Sequence, residues 1–157
     1  FAKRKGNKGF ILMIKIRKIF KLEMAHQLTE AYSTCCSECI HGHSYVVEVF
    51  LTSAVLLKGM VIDFGELKAL LQPWYSKWDH ALVMHASAPK EYLDVLQKYN
   101  RHLIVLNMNP TAENMAYLFY KEIETVLPNH VSLLSVRVHE TDTGYAEHTQ
   151  NGVNFKG

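Results

Sequence analysis

His41-Gly42-His43 places two imidazoles one residue apart at the head of Ser44-Tyr45-Val46-Val47-Glu48-Val49-Phe50-Leu51, a run with β-strand character. Side chains alternate between the faces of a strand, so the two rings point the same way. Gly42 removes the side chain that would crowd a close backbone approach. Two imidazoles on a rigid element make up two-thirds of a catalytic zinc site, where three protein ligands leave a fourth position for water or substrate. His26 is the third candidate. It closes an alternating run in which Phe20, Leu22, Met24 and His26 share one face while Lys21 and Glu23 share the other. A lone histidine is usually a satisfied core or surface residue; three converging from strand segments imply a metal.

Proton-transfer groups lie close by in the chain. Cys35, Cys36 and Glu38 precede His41 in what reads as a loop. A thiol beside a divalent cation has its thiolate favoured and can act as a base near neutral pH, and a carboxylate can do the same work. Asp79-His80 follows a long helical pattern, and such a pair can shuttle protons if the two groups hydrogen-bond in space. Taken alone, it is more commonly a solvated surface pair. Glu140 ends the run Val136-Arg137-Val138-His139-Glu140 on the face of the two valines. An inward carboxylate needs a partner: either an internal lysine or arginine, or a ligand with a guanidine-like donor pair.

The elements that must position these groups are legible in outline. Strands are expected at Ile14–His26, from His41 to Leu51, and at Gly59–Asp63. Asp63 then caps a helix from Phe64 to about Trp78, with Glu66 completing a capping box and Pro73 kinking it or starting a new turn. A short surface helix over 89–99 and a strand over His102–Met108 follow. Thr111 caps a second long helix whose stripe of Met115, Leu118, Phe119, Ile123, Val126 and Leu127 runs to Pro128. Strands at Leu133–Glu140 and Gly152–Phe155 close the chain. The order predicts an α+β fold with helices on one face of an antiparallel sheet. The exposed edges of so small a sheet predict a homo-oligomer.

Composition narrows the classes. With 157 residues, 48% hydrophobic and 20% charged, the chain supports one globular core. A net charge of +2 gives no basis for nucleic-acid binding. No run approaches the ~18 apolar residues of a membrane helix, so no membrane partner is expected. Residues 1–12 read as an extension, basic through Lys8, ahead of Met13, with 13–157 as a single domain. The three cysteines cluster at Cys35, Cys36 and Cys39, and no signal-peptide pattern precedes them. That argues for reactive thiols in a reducing, cytoplasmic compartment rather than a disulfide framework.

Taken in order, Phe20-Lys21-Leu22-Glu23-Met24-Ala25-His26, the Cys/Glu segment, His41-Gly42-His43-Ser44-Tyr45, Val61-Ile62-Asp63-Phe64, Trp78-Asp79-His80-Ala81-Leu82, Asn109-Pro110-Thr111-Ala112-Glu113-Asn114 and His139-Glu140-Thr141 resemble the 6-pyruvoyl-tetrahydropterin synthase / 6-carboxytetrahydropterin synthase family. The resemblance implies a T-fold (tunnelling fold): a four-stranded antiparallel sheet with two long helices on one face. Trimeric barrels of it would pair into a hexamer with active sites between subunits. It implies 7,8-dihydroneopterin triphosphate as substrate and Zn2+ held by His26, His41 and His43. Asp79 and His80 would be the proton-shuttling pair, Glu140 the anchor for the amino-pyrimidine edge of the pterin, and Thr111 a contributor to that pocket. A cysteine before His41 would be the general base.

The spacing of that cysteine departs from the family's patterns. The carboxytetrahydropterin branch has it four positions before His41, where Ser37 stands; the pyruvoyl branch has it six before, at Cys35. A third branch uses a glutamate three before, at Glu38. Cys36 falls between the two cysteine spacings, so Cys35 and Cys36 stand level, ahead of Glu38. A segment around 85–105, which shorter relatives lack, is expected to be a peripheral helix. The function implied is a zinc-dependent lyase making 6-carboxy-5,6,7,8-tetrahydropterin for queuosine (deazaguanine) biosynthesis. The alternatives are a 6-pyruvoyl-tetrahydropterin synthase, a folate-pathway side-chain cleavage enzyme, a catalytically retired metal-binding assembly subunit, and a zinc hydrolase of another substrate.

Overall fold

A computed structural model describes residues 14–29 and 31–150. The elements, in chain order, are β1 (Lys15–His26), α1 (Thr34–Glu38), β2 (His41–Thr52), α2 (Phe64–Trp78), β3 (Leu82–His85), α3 (Lys90–Tyr99), β4 (Leu103–Leu106), α4 (Ala112–Glu124), β5 (Ser132–Thr141) and β6 (Gly144–Thr149). The expected extension at 1–12 and the expected strand at Gly152–Phe155 lie outside the described residues. None of the described helices is long and apolar enough to cross a membrane.

β1 and β2 pair antiparallel over their whole length, from Lys15↔Thr52 to His26↔His41. The alternation read in the sequence sets this register. Phe20, Leu22 and Met24 are buried on one face of β1, and Tyr45, Val47 and Val49 meet them from β2. A slip of one residue would turn every one of these side chains to solvent. β5 adds antiparallel to β2, with a bulge between Phe50 and Leu51, and β6 folds back on β5.

The expected four-stranded antiparallel sheet is therefore present as β1, β2, β5 and β6, but the complete sheet has six strands in the order β4-β3-β1-β2-β5-β6. β3 runs parallel to β1 at Ala25 and His26, and β4 runs parallel to β3. The segment around 85–105 is accordingly more than a peripheral helix: α3 is the crossover that lets β4 extend the sheet. Neither β3 nor β6 announces itself in the sequence, because four to six residues hold too few periods to set a pattern.

Two further expectations are corrected. Gly59–Asp63 is not a strand. Leu57 and Met60 exchange backbone hydrogen bonds across Lys58-Gly59, both with positive φ, so the chain reverses in a two-residue turn. Val61 and Ile62 then drop directly into the core. The Cys/Glu segment is not a loop: Cys35, Cys36 and Glu38 lie on the short helix α1.

α2 and α4 cover the inner face of the sheet. Asp63 caps α2 by accepting from the amides of Gly65 and Glu66, and Thr111 caps α4 by accepting from Asn114. α2 continues through Pro73 as one element; the carbonyl that loses its donor belongs to Ala69, an exposed residue, so the loss falls on the solvent side. α4 stops at Glu124, short of the expected Pro128 boundary, and leaves Val126 exposed. The helices meet through Phe119, whose ring packs edge-on against Trp74 and Trp78 at centroid distances of 5.2 and 5.0 Å. Phe119 is fully buried. Phe119→Ala should lower the unfolding free energy by about 3–5 kcal/mol, measured as a reduced urea midpoint with an unchanged slope.

Candidate metal centre

β1 ends and β2 begins at the same point of the sheet, and the register makes His26 the direct cross-strand partner of His41. His43 follows on the same face. The rings sit 4.6 Å (His26–His41), 5.3 Å (His26–His43) and 5.0 Å (His41–His43) apart between centroids. One nitrogen from each lies within 4.8 Å of the others. Gly42 fits the close approach expected of it: a Cβ there would sit 3.3 Å from the Met24 carbonyl oxygen.

Hydrogen bonding decides which nitrogen each ring offers. Nδ1 of His26 donates to the Pro110 carbonyl at 2.8 Å, and Nδ1 of His41 donates to the Cys39 carbonyl at 3.1 Å. With both Nδ1 atoms carrying protons, the Nε2 lone pairs of two neutral rings face each other at 3.1 Å. Nε2 of His43 is buried without a hydrogen-bond partner. Facing lone pairs and an orphaned buried nitrogen are unfavourable unless a cation stands between them. On a tetrahedral ion with ~2.0–2.1 Å metal–nitrogen bonds, ligand nitrogens lie about 3.3 Å apart, close to the 3.1 Å between His26 and His41. Burial holds the His26 pKa below its ordinary value, against the opposing pull of the Pro110 carbonyl and Glu140. The neutral, ligating form is thereby favoured.

Glu140 lies on the inner face as expected. Its Oε1 is 3.4 Å from His26 Nε2 and 3.8 Å from His43 Nε2, and it accepts from the Tyr45 hydroxyl at 3.3 Å. Among the described residues it has no lysine or arginine partner; the buried carboxylate held by arginines is Glu48, on the other face, which Arg17 and Arg137 grip. Burial, and the Glu140 charge after it, push the Tyr45 phenol far above its ordinary pKa, so it remains a hydrogen-bond donor. The sequence reading left Tyr45 out of the site, although its place two residues after His43 puts it on the same strand face.

On α1, Cys35 and Glu38 are exposed and Cys36 is half-buried. Two hydrogen bonds tie α1 to the residues just after His26: Leu28 N–H donates to the Cys36 carbonyl at 2.9 Å, and the Gln27 amide donates to the Ser37 carbonyl at 2.8 Å.

Asp79 and His80 do hydrogen-bond to each other, with Asp79 Oδ2 2.9 Å from His80 Nδ1. Burial alone would raise the Asp79 pKa. The Glu23 amide, His80 and Tyr75, all bonded to the carboxylate, outweigh it and hold the group ionised. His80 adopts φ +66°, a strained value for a non-glycine residue. His80 lines a cavity of about 370 Å3 together with Glu23, Ala25, Gly42, Ser44 and the ligand candidate His43. Thr111 is half-buried with its hydroxyl committed to the α4 cap, next to the Pro110 carbonyl that orients His26.

The family model described as 6-pyruvoyl tetrahydropterin synthase matches residues 15–151. The 6-carboxy-5,6,7,8-tetrahydropterin synthase of Helicobacter pylori strain J99 is 30% identical over 141 residues, covering 84% of this chain and 70% of that protein. The protein of the same name from Haemophilus influenzae is 29% identical over 145 residues, covering 88% of this chain and all (100%) of the relative. Among solved structures, an uncharacterized protein of Wolinella succinogenes superposes with TM-score 0.74 at 20% identity, covering 88% of this chain and 99% of that one. A catalytic-residue mutant of Plasmodium vivax 6-pyruvoyltetrahydropterin synthase, altered at a glutamate, superposes with TM-score 0.68 at 15% identity, covering 90% and 99%. These last two bear on the fold alone.

Purified protein should take up one divalent transition-metal ion per chain by elemental analysis, and His41→Ala or His43→Ala should lose it. Uptake should fall in acid, because a protonated imidazole cannot ligate, with burial of His26 moving its own protonation to lower pH than that of an ordinary imidazole. Full stoichiometry retained in His41→Ala would contradict the assignment.

Proposed function

The chain belongs to the 6-pyruvoyl tetrahydropterin synthase family, and from that premise we propose a zinc-dependent lyase that converts 7,8-dihydroneopterin triphosphate to 6-carboxy-5,6,7,8-tetrahydropterin, the pterin step of queuosine biosynthesis. The observation that carries the reading is the set of three Nε2 atoms beside an inward carboxylate that has no cationic partner among the described residues. The carboxytetrahydropterin product is favoured by the names of the relatives.

His26, His41 and His43 would hold the zinc ion, which when bound supplies Lewis-acid polarisation of substrate hydroxyls and the adjacent C–H. Glu140 accepts the donor pair on the amino-pyrimidine edge of the pterin, and the Tyr45 hydroxyl orients that carboxylate. Thr111 supports the pocket by fixing the turn that carries Pro110. Cys36 is the general base: it is half-buried and its carbonyl is tied to Leu28, just after His26, whereas Cys35 and Glu38 face solvent. Asp79 keeps the His80 ring oriented and able to hold a proton. Among the described residues the sheet ends in open edges at β4 and β6, which supports a homo-oligomer such as the hexamer built as a dimer of trimers, with active sites between subunits. The domain occupies 13–157, in the cytoplasm.

Zinc-loaded protein incubated with 7,8-dihydroneopterin triphosphate should release acetaldehyde and a product with the mass of 6-carboxytetrahydropterin. A 6-pyruvoyl product without acetaldehyde would assign the alternative branch, and zinc binding with neither turnover nor pterin binding would assign a retired assembly subunit. Cys36→Ala should lower kcat by about 10²–10⁴-fold, while Cys35→Ala stays within a few-fold of wild type. Glu140→Gln should weaken pterin binding by roughly 10–100-fold, the worth of a charge-assisted hydrogen bond, with the zinc content retained.

A further inference from the structure

α3 lies between two parallel strands at the far side of the sheet, and none of its residues is buried. It nevertheless reaches the neighbourhood of the metal centre. Tyr92, half-buried on its first turn, donates its hydroxyl hydrogen to Gln27 Oε1 at 3.0 Å. Gln27 stands next to His26, and its amide nitrogen donates to the Ser37 carbonyl at 2.8 Å. Ser37 follows Cys36 on α1. The two bonds fix the Gln27 amide in one orientation, since its oxygen must accept and its nitrogen must donate. They line one wall of a cavity of about 200 Å3 shared with Thr29, His85 and Ser87.

α1 has weak support of its own. It is five residues long, buries no side chain, and its Ser33 cap makes no side-chain hydrogen bond. So short a helix is marginal without outside contacts. Among the described residues, the Leu28–Cys36 backbone bond and the Gln27–Ser37 bond tie it to the end of β1, and the second of them is oriented by Tyr92 from outside that segment.

We infer that Tyr92, acting through Gln27, is a positioning residue for the Cys36 thiol: the segment around 85–105 steadies α1 and thereby the base. This rests on the reading of Cys36 as the base. Removal of the Tyr92 hydroxyl frees the Gln27 amide to rotate, and α1 then opens more often without any loss from the core.

The test compares zinc-loaded wild type, Tyr92→Phe, Cys36→Ala and, as a control on the exposed side of α3, Lys90→Ala, which breaks only the Lys90–Asp94 pair. Tyr92→Phe should raise amide hydrogen exchange at Cys36 and Ser37 by about five- to tenfold, the range expected from one lost hydrogen bond. It should lower kcat by a similar factor, leave KM within about twofold, and change neither zinc content nor thermal midpoint. Lys90→Ala should match wild type throughout. Unchanged exchange at Cys36 and Ser37 in Tyr92→Phe, or faster exchange with kcat within twofold of wild type, would overturn the inference even where Cys36→Ala is inactive. Full turnover by Cys36→Ala would overturn the base assignment itself, and the catalytic half of the inference with it.

Discussion

The antiparallel register of β1 against β2 is the constraint on which the rest of the structure depends. Pairing His26 directly with His41 brings together two rings separated by 15 positions in sequence, and the period of two adds His43. The same register lays Phe20, Leu22, Tyr45, Val47 and Val49 under the helices. Core and metal centre are thus one arrangement: any shift that disperses the histidines also exposes the apolar face, so hydrophobic burial enforces the geometry of the ligands.

Around that pair the second shell comes from distant segments. The Pro110 carbonyl reaches His26 because α4 starts there, and α4 starts there because Thr111 caps it and Asn109 clamps Thr29 through three hydrogen bonds. The Cys39 carbonyl reaches His41 because α1 ends just before β2. These carbonyls select the Nδ1–H tautomers and turn the Nε2 lone pairs toward one point. A buried imidazole with its pKa lowered, a carboxylate with no lysine or arginine partner among the described residues, and a phenol held protonated form a pocket that could hold a cation.

The two faces of the sheet divide the chemistry. The inner face carries the histidines, Tyr45 and Glu140. The outer face carries the Glu48 network with Arg17, Arg137 and His139, in which hydrogen bonds and charge outweigh burial and keep Glu48 ionised. Asp79 and His80 stand at the end of α2, where His80 borders a cavity that His43 also lines.

Much of this was legible in the residues. The long alternating runs and the capped amphipathic helices stood out because each spans several periods, and the His-x-His spacing projects two rings to one face in any strand. The short strands β3 and β6, the turn at Lys58-Gly59 and the helical state of the Cys/Glu segment were not legible, since a few residues carry no periodic signal and their conformation is set by what they pack against. Local periodicity and residue type by themselves determined the three converging histidines that could hold a metal, the inward carboxylate and the α+β class. Only tertiary structure decided that Cys36 is half-buried while Cys35 is exposed, that His80 borders a cavity lined also by His43, and that the segment around 85–105 builds a strand and touches Gln27. Those outcomes depend on contacts between residues far apart in the chain, and side-chain alternation within a single element holds no information about them.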